Sequence, residues 1–317
     1  MKPSTLALLN RKLFLIFIGL ALPACTTQAN AGEFPVLTPT PISIPGHALP
    51  SSTLVPPTAI PTSIPPLPSP TALPTNLPTS IPLPCWSQAG TDLEGSLRAD
   101  LLPLPLDYRI HLPPCYDQQP ERLYPVLYLI HGKNYNNDQW DRLGASQISD
   151  TLTASGRASP FIIVMPRDRS WSSPIEDKFG QVVVNTLIPW VDSHYRTMPT
   201  RQFRAIGGLS RGAAWAVHLG FSYWQLFGAV AAHSLPVFWE DTGEIRGWLD
   251  GIPPQLLPRI YMDTGDQDYL IRSTLWFEDV LTKKGIPHEW HLFTGYHNEE
   301  YWKAHVEEYL LWYAKDW

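Results

Sequence analysis

The five residues Gly208-Leu209-Ser210-Arg211-Gly212 constrain this chain more than any other stretch. They follow the apolar run Phe203 to Ile206 and precede Ala213 to Leu219, a run of helical character. The spacing predicts a strand, a tight turn and a helix, with a serine at the tip. Such a turn brings backbone segments close together and strains φ and ψ at the serine, so its flanks favour residues without a Cβ. The hydroxyl is then held at the carboxyl edge of a sheet, above a helix amino end.

The rest of the second half of the chain supports a sheet of that kind. Asp107 to Leu112 alternates as a strand does and stops at Pro113-Pro114. Tyr124 to Ile130 is an unbroken apolar run, the pattern of a strand buried on both faces. Phe161 to Met165, Phe227 to Ala232, Arg259 to Asp263 and His288 to Phe293 read as further strands. Between them, Ala145 to Ser155, Phe179 to Tyr195, Ile271 to Lys284 and Trp302 to Tyr313 have helical spacing, with Pro189 expected to kink the second. Strands alternating with helices imply an α/β fold, a mostly parallel central sheet with helices on both faces.

Two residues downstream of Ser210 give it chemical meaning. Asp268 lies 58 positions later and His297 a further 29. Each falls in a loop after a strand, Thr264 to Asp268 and Thr294 to His297. Loops at the carboxyl ends of strands are where open α/β sheets build their sites. Serine, acid and histidine in that order suit a serine nucleophile activated by an imidazole that an acid orients. Asp266 is the rival acid. His291 lies within a strand pattern and reads as structural, as does His233, which stands near the expected site.

The chain has 317 residues, enough for one well-cored domain beyond its first quarter. Its net charge of −6, with no basic run past the amino end, argues against nucleic-acid binding. Nothing in the sequence calls for a metal or other cofactor; it has neither His-Glu-x-x-His nor Cys-x-x-Cys. Residues 1–25 have the layout of an export signal: Lys2, Arg11 and Lys12, then ten apolar residues from Leu13 to Leu22, then Pro23-Ala24-Cys25. Their ending resembles a lipobox, in which Cys25 is lipidated and anchors the chain to a membrane outside the cytoplasm. Plain secretion after cleavage near Ala24 or Ala31 is the alternative.

Residues 26–84 read as a disordered linker. From 35 to 84 there are 16 Pro and 14 Ser or Thr and no charged residue, so this segment cannot build a core. Extended at about 3.1 Å per residue it reaches roughly 150 Å. The folded domain is expected over 85–317. Cys85 and Cys115 form an even pair in an exported chain and are expected to be disulfide-bonded, free buried thiols being the alternative.

Several motifs together are similar to those of the esterase D and feruloyl esterase-like family of α/β-hydrolases. They are Tyr124-Pro125-Val126-Leu127-Tyr128-Leu129-Ile130-His131-Gly132 with Trp140 downstream, Leu187-Ile188-Pro189-Trp190-Val191-Asp192, Tyr195-Arg196-Thr197, and Ala205 to Gly212. The resemblance runs from about Asp107 to the carboxyl end. It departs at Thr186, where the family often has Glu, and at Ala213, where a second Gly is common.

The resemblance implies Ser210 as nucleophile, His297 as base and Asp268 as acid. The oxyanion donors implied are the backbone N–H groups of Arg211 and Lys133, with Gly132 as the near alternative to Lys133. His131 is expected to brace that loop beside the substrate. Trp140, Trp171, Trp239 and Trp302 are candidates for the cleft wall, or else core residues. The activity implied is hydrolysis of carboxylic esters, small or linked to polysaccharide, outside the cytoplasm. Acyl transfer by the same residues, or ligand binding without catalysis, are the other readings. Leu235 to Gly251 is the candidate for a mobile cover.

Overall fold

Two apolar runs, 126–130 and 162–166, set the centre of the molecule. Every residue in them is buried, so both faces of these strands meet packed side chains. The computed structural model describes residues 84–317; the expected signal segment, Cys25 and all of the linker up to 83 lie outside the described residues. The strands are β1 (Thr91–Leu97), β2 (Leu106–Leu112), β3 (Val126–Ile130), β4 (Ile162–Pro166), β5 (Arg204–Leu209), β6 (Ala229–His233), β7 (Arg259–Gly265) and β8 (Glu289–Phe293). They form one eight-stranded sheet in the order β1-β2-β4-β3-β5-β6-β7-β8. The first two pairings, β1 with β2 and β2 with β4, are antiparallel; all others are parallel.

The helices are α1 (Gln139–Arg142), α2 (Ala145–Ala154), α3 (Phe179–Val182), α4 (Ile188–His194), α5 (Arg211–Ser222), α6 (Asp241–Asp250), α7 (Ile271–Lys283) and α8 (Glu299–Ala314). Strand β3 shows how they divide. Val126, Tyr128 and Ile130 face a core that includes residues of α3 to α7, whereas Leu127 and Leu129 face one built with α1, α2 and α8. The period of two along a strand thus feeds two separate cores. A Cys85–Cys115 disulfide, with Cα atoms 5.1 Å apart, ties residue 85 to the segment before β3.

The structure refines the sequence reading in three places. Strand β1 gave no signal, because Thr91 to Glu94 are all exposed and the strand carries no buried apolar face. Its Asp92 and Glu94 suit an edge, where charge discourages pairing with another chain. The helix expected over Phe179–Tyr195 is present as one continuous helical run, α3, a wider π turn at Val183–Leu187, and α4. Pro189 lacks an N–H and its ring crowds the carbonyl one turn back, and the hydrogen-bond ladder widens to the π turn just before it. Within Leu235–Gly251, α6 is packed down: Ile245 and Leu249 are buried, and His218 of α5 holds Asp241 at 3.0 Å. Only the stretch before α6 reaches the cleft described below.

Candidate active site

Ser210 stands between β5 and α5 with φ 51° and ψ −125°, a left-handed conformation costly for a residue with a side chain. The turn is over-determined by its neighbours. A Cβ on Gly208 would lie 2.3 Å from the backbone of Gly212, and one on Gly212 would lie 2.0 Å from Ile130 O at the end of β3. Both glycines are therefore required by close approach. Ser210 N–H also donates to His233 O at 2.8 Å, which fixes the turn to β6.

The turn delivers the hydroxyl to the base. Ser210 Oγ lies 2.8 Å from His297 Nε2, and His297 Nδ1 lies 3.0 and 2.9 Å from the two Asp268 oxygens. Asp268 is held in turn by Leu270 N–H at 2.7 Å and Thr264 Oγ1 at 3.1 Å. Burial pushes the Asp268 carboxyl up, but hydrogen bonds from His297, Leu270 N–H and Ser234, with the His297 charge, outweigh it and leave its pKa below the ordinary carboxylate value. Asp268 is thus kept as the anion that orients Nδ1–H and directs Nε2 at the serine.

The two loops that carry the acid and the histidine are stitched together. Asp266 N–H donates to Phe293 O and Gln267 N–H to Gly295 O, while Asp266 Oδ1 accepts from Gly295 N–H. The structure therefore brings Asp268, and not Asp266, to the imidazole; Asp266 is an exposed clip on the loop backbone. Just past His297, Asn298 caps α8 by accepting from Tyr301 N–H at 3.0 Å, a contact worth about 1 kcal/mol to a helix. Trp302 stands edge-on to His297 at 5.0 Å between ring centres and donates its Nε1–H to Ser234 Oγ.

The donors for a developing oxyanion are backbone groups. Arg211 is the first residue of α5, so its N–H has no carbonyl a turn earlier and stands at the positive end of the helix. On the opposite wall, Gly132 N–H is already used by Gln139 Oε1 at 2.8 Å. Gly132 O is held at 2.8 Å by His131 Nδ1. In a trans peptide the carbonyl and the next N–H point in opposite directions, and no peptide among the described residues is cis. Fixing Gly132 O on His131 therefore turns Lys133 N–H the other way, toward the cleft. Of the two expected alternatives, Lys133 has the available donor.

His131 performs that task from below. It is 3% exposed, and its Nε2 accepts from Asp168 N–H at 2.9 Å, so the neutral ring carries its proton on Nδ1. Burial lowers its pKa, in keeping with a neutral ring. It does not line the cleft, which corrects its expected place beside the substrate. Trp140 is corrected likewise: it is buried, donates to Ile130 O, and packs on His233 and Tyr309. Trp302, Trp171 and Trp239 do line the cleft. His291 is stacked on Tyr261, and His233 is fully buried.

Sequence reasoning missed the groups that hold Arg211. Asp168 Oδ2 accepts from Arg211 Nε at 2.7 Å and from Trp215 Nε1 at 2.8 Å, while Asp177 Oδ2 accepts from Arg211 Nη2 at 3.2 Å. The one available signal was position: Asp168 lies two residues past the carboxyl end of β4, where site loops form.

Above Ser210 lies an open cleft of about 520 Å³. Four loops each lend it one exposed aromatic ring: Tyr135, Trp171, Trp239 and Tyr269. Trp239 is 83% exposed, which is costly for so large an apolar surface unless something covers it. Among the described residues no group of three His, Cys, Asp or Glu side chains is placed to hold a metal ion.

Residues 102–313 match the family model described as "Putative esterase". The chain belongs to this esterase family. A ferulic acid esterase structure superposes on 72% of the chain and 99% of its own length, with a TM-score of 0.65 and 26% identity. Among curated esterases, the xylanase/feruloyl esterase of Xylanibacter ruminicola is 38% identical over 97 residues, 28% of this chain and 13% of that protein. An esterase of Mycobacterium tuberculosis is 35% identical over 138 residues, 40% of this chain and 29% of its own length. The matched part thus spans less than a third of either curated relative. The fold shared with these structures is the α/β-hydrolase fold.

Proposed function

We propose that this protein is a serine carboxylic-ester hydrolase. The observation that carries the reading is Ser210 Oγ at 2.8 Å from His297 Nε2, with Asp268 on the far side of the ring. His297 accepts the serine proton as Oγ attacks the ester carbonyl, and the imidazolium is stabilised by Asp268. The tetrahedral oxyanion receives the N–H groups of Arg211 and Lys133. His297 then protonates the leaving alcohol, an acyl-serine remains, and water repeats the sequence to release the acid.

The substrate side of the reading rests on the cleft. Its exposed aromatic rings suit a flat acyl group or the sugar rings of a polysaccharide-linked ester. The likeness to a ferulic acid esterase supports an aromatic acyl group. The export-signal layout of residues 1–25 and its resemblance to a lipobox at Cys25 support a site of action outside the cytoplasm, at a membrane surface, and the Cys85–Cys115 disulfide suits an oxidising compartment.

The test is hydrolysis of p-nitrophenyl esters from acetate to decanoate, with a ferulate ester, by wild type and Ser210→Ala. Turnover that falls by about 10⁴-fold or more in a folded variant is expected. A well-folded wild-type protein that turns over none of these esters would sink the reading, and acyl transfer to added alcohols would then be measured.

A further inference from the structure

We propose that Gln139 and Glu299 form a relay that holds the oxyanion loop and the histidine loop in one register, with Gln139 a positioning residue for the Lys133 N–H. The proposal rests on the esterase reading above. Gln139 is completely buried at the start of α1. Its Oε1 accepts from Gly132 N–H at 2.8 Å, and its Nε2 donates to Glu299 Oε1 at 3.0 Å. Glu299 opens α8, two residues after His297. One side-chain amide therefore joins the two loops whose groups must meet at the reacting carbonyl.

The direction of the amide is dictated. A carboxylate only accepts hydrogen bonds, so the Gln139 amide must turn its NH₂ to Glu299 and its oxygen to Gly132. Arg142, one turn further along, donates to both Glu299 oxygens at 3.2 and 3.0 Å, and the amino end of α8 adds its positive field. Glu299 is thus fixed in place. With Gly132 N–H held by Gln139 and Gly132 O held by His131, both ends of that residue are fixed and the Lys133 N–H has one direction left. A donor aimed in advance acts chiefly on the transition state, where the oxyanion charge develops.

The experiment measures kcat, KM and melting temperature on p-nitrophenyl acetate for wild type, Gln139→Ala, Gln139→Glu, and Gln139→Glu combined with Glu299→Gln. Gln139→Ala lowers kcat about 10- to 100-fold and moves KM less than about threefold, since a misaimed donor weakens the transition state more than the ground state. Gln139→Glu sets two carboxylates against each other and lowers kcat at least as far. The double variant restores an acceptor for Gly132 N–H and a donor across the relay, and returns kcat to within about fivefold of wild type. Melting temperature separates lost folding from lost aim. Wild-type kcat in Gln139→Ala, or a folded double variant no better than Gln139→Glu alone, overturns the relay and leaves the esterase reading standing. A wild-type protein with no ester turnover overturns both.

Discussion

Two histidine–aspartate pairs stand near the carboxyl ends of neighbouring strands, and they are chemically alike at one nitrogen only. His297 Nδ1 meets Asp268, and His233 Nδ1 meets Asp263 at 2.6 Å. The second nitrogen differs. In the first pair Nε2 meets the hydroxyl of a strained serine at the floor of an open cleft. In the second it meets Tyr313 OH at 3.2 Å, and the ring lies stacked on Tyr309 at 3.7 Å with no exposure to solvent. Asp263 is also saturated by hydroxyl donors, Tyr301 and Tyr309. A His–Asp pair is therefore only an oriented imidazole. What it does depends on the partner of the free nitrogen and on whether a substrate can reach it.

The comparison is broken most directly by disabling each pair in turn. Asp268→Asn keeps the side-chain shape but withdraws the anion behind His297, and is expected to lower kcat about 10³- to 10⁴-fold at little cost in stability. His233→Gln keeps a group for Tyr313 and withdraws the one for Asp263. It is expected to leave kcat within about fivefold while costing about 3 kcal/mol, because a buried carboxylate loses a donor. Steady-state kinetics and chemical denaturation on the same two proteins check this. Equal losses of activity from both variants would mean that the buried pair also serves the chemistry.

A third histidine sharpens the point by going the other way. His111 of β2 is 1% exposed and lies between two carboxylates, with Nδ1 3.1 Å from Asp92 and Nε2 2.9 Å from Asp150. Burial opposes its charge, but hydrogen bonds and charges from Asp150 and Asp92 prevail and hold its pKa at about 9. This pair of contacts fastens β1 and α2 to β2. The folded pKa lies above the ordinary histidine value of about 6.5, so the contribution is complete below about pH 6.5 and is lost as pH rises through about 9. By linkage it amounts to roughly 3 kcal/mol. Unfolding free energy measured from pH 6 to pH 10 should fall more steeply in wild type than in His111→Gln. Parallel curves would show that folding does not raise the His111 pKa.

How far these roles could be read from the chain follows the same division. The serine turn, Asp268 and His297 were legible because each depends on a residue type placed just after a strand, and those strands announce themselves by apolar runs or, for β8, by polar and apolar residues in alternation. The core strands were legible for that reason, and β1 was not, since an exposed edge carries no such run. Gln139 and Glu299 were illegible because 160 residues separate them and no local pattern marks a polar residue as buried. Trp140 and His131 were identified as belonging near the site but placed on the wrong side of it. Both side chains turn inward, His131 because the Asp168 N–H claims its Nε2. The local sequence does not show where a ring nitrogen finds its partner.

The smallest effect concerns the rim of the cleft, where access itself can be tested. Trp239 and Trp171, the latter with Lys133 Nζ 5.3 Å from its ring centre, leave large apolar faces beside the path to Ser210. If those faces hold the flat part of a substrate, Trp239→Ala should raise KM for an aromatic acyl ester about three- to tenfold, the range of about 0.5–1.5 kcal/mol for one ring-to-ring contact. The same variant should leave KM for an acetyl ester unchanged, because a two-carbon acyl group sits at the serine and does not reach the rim. Catalysis at saturation should be equal for the variant and wild type on both esters, since the proton path through His297 and Asp268 is untouched. A rise in KM that is the same for both esters would place Trp239 on the alcohol side of the scissile bond, and no rise for either would make the ring a surface feature apart from the substrate path.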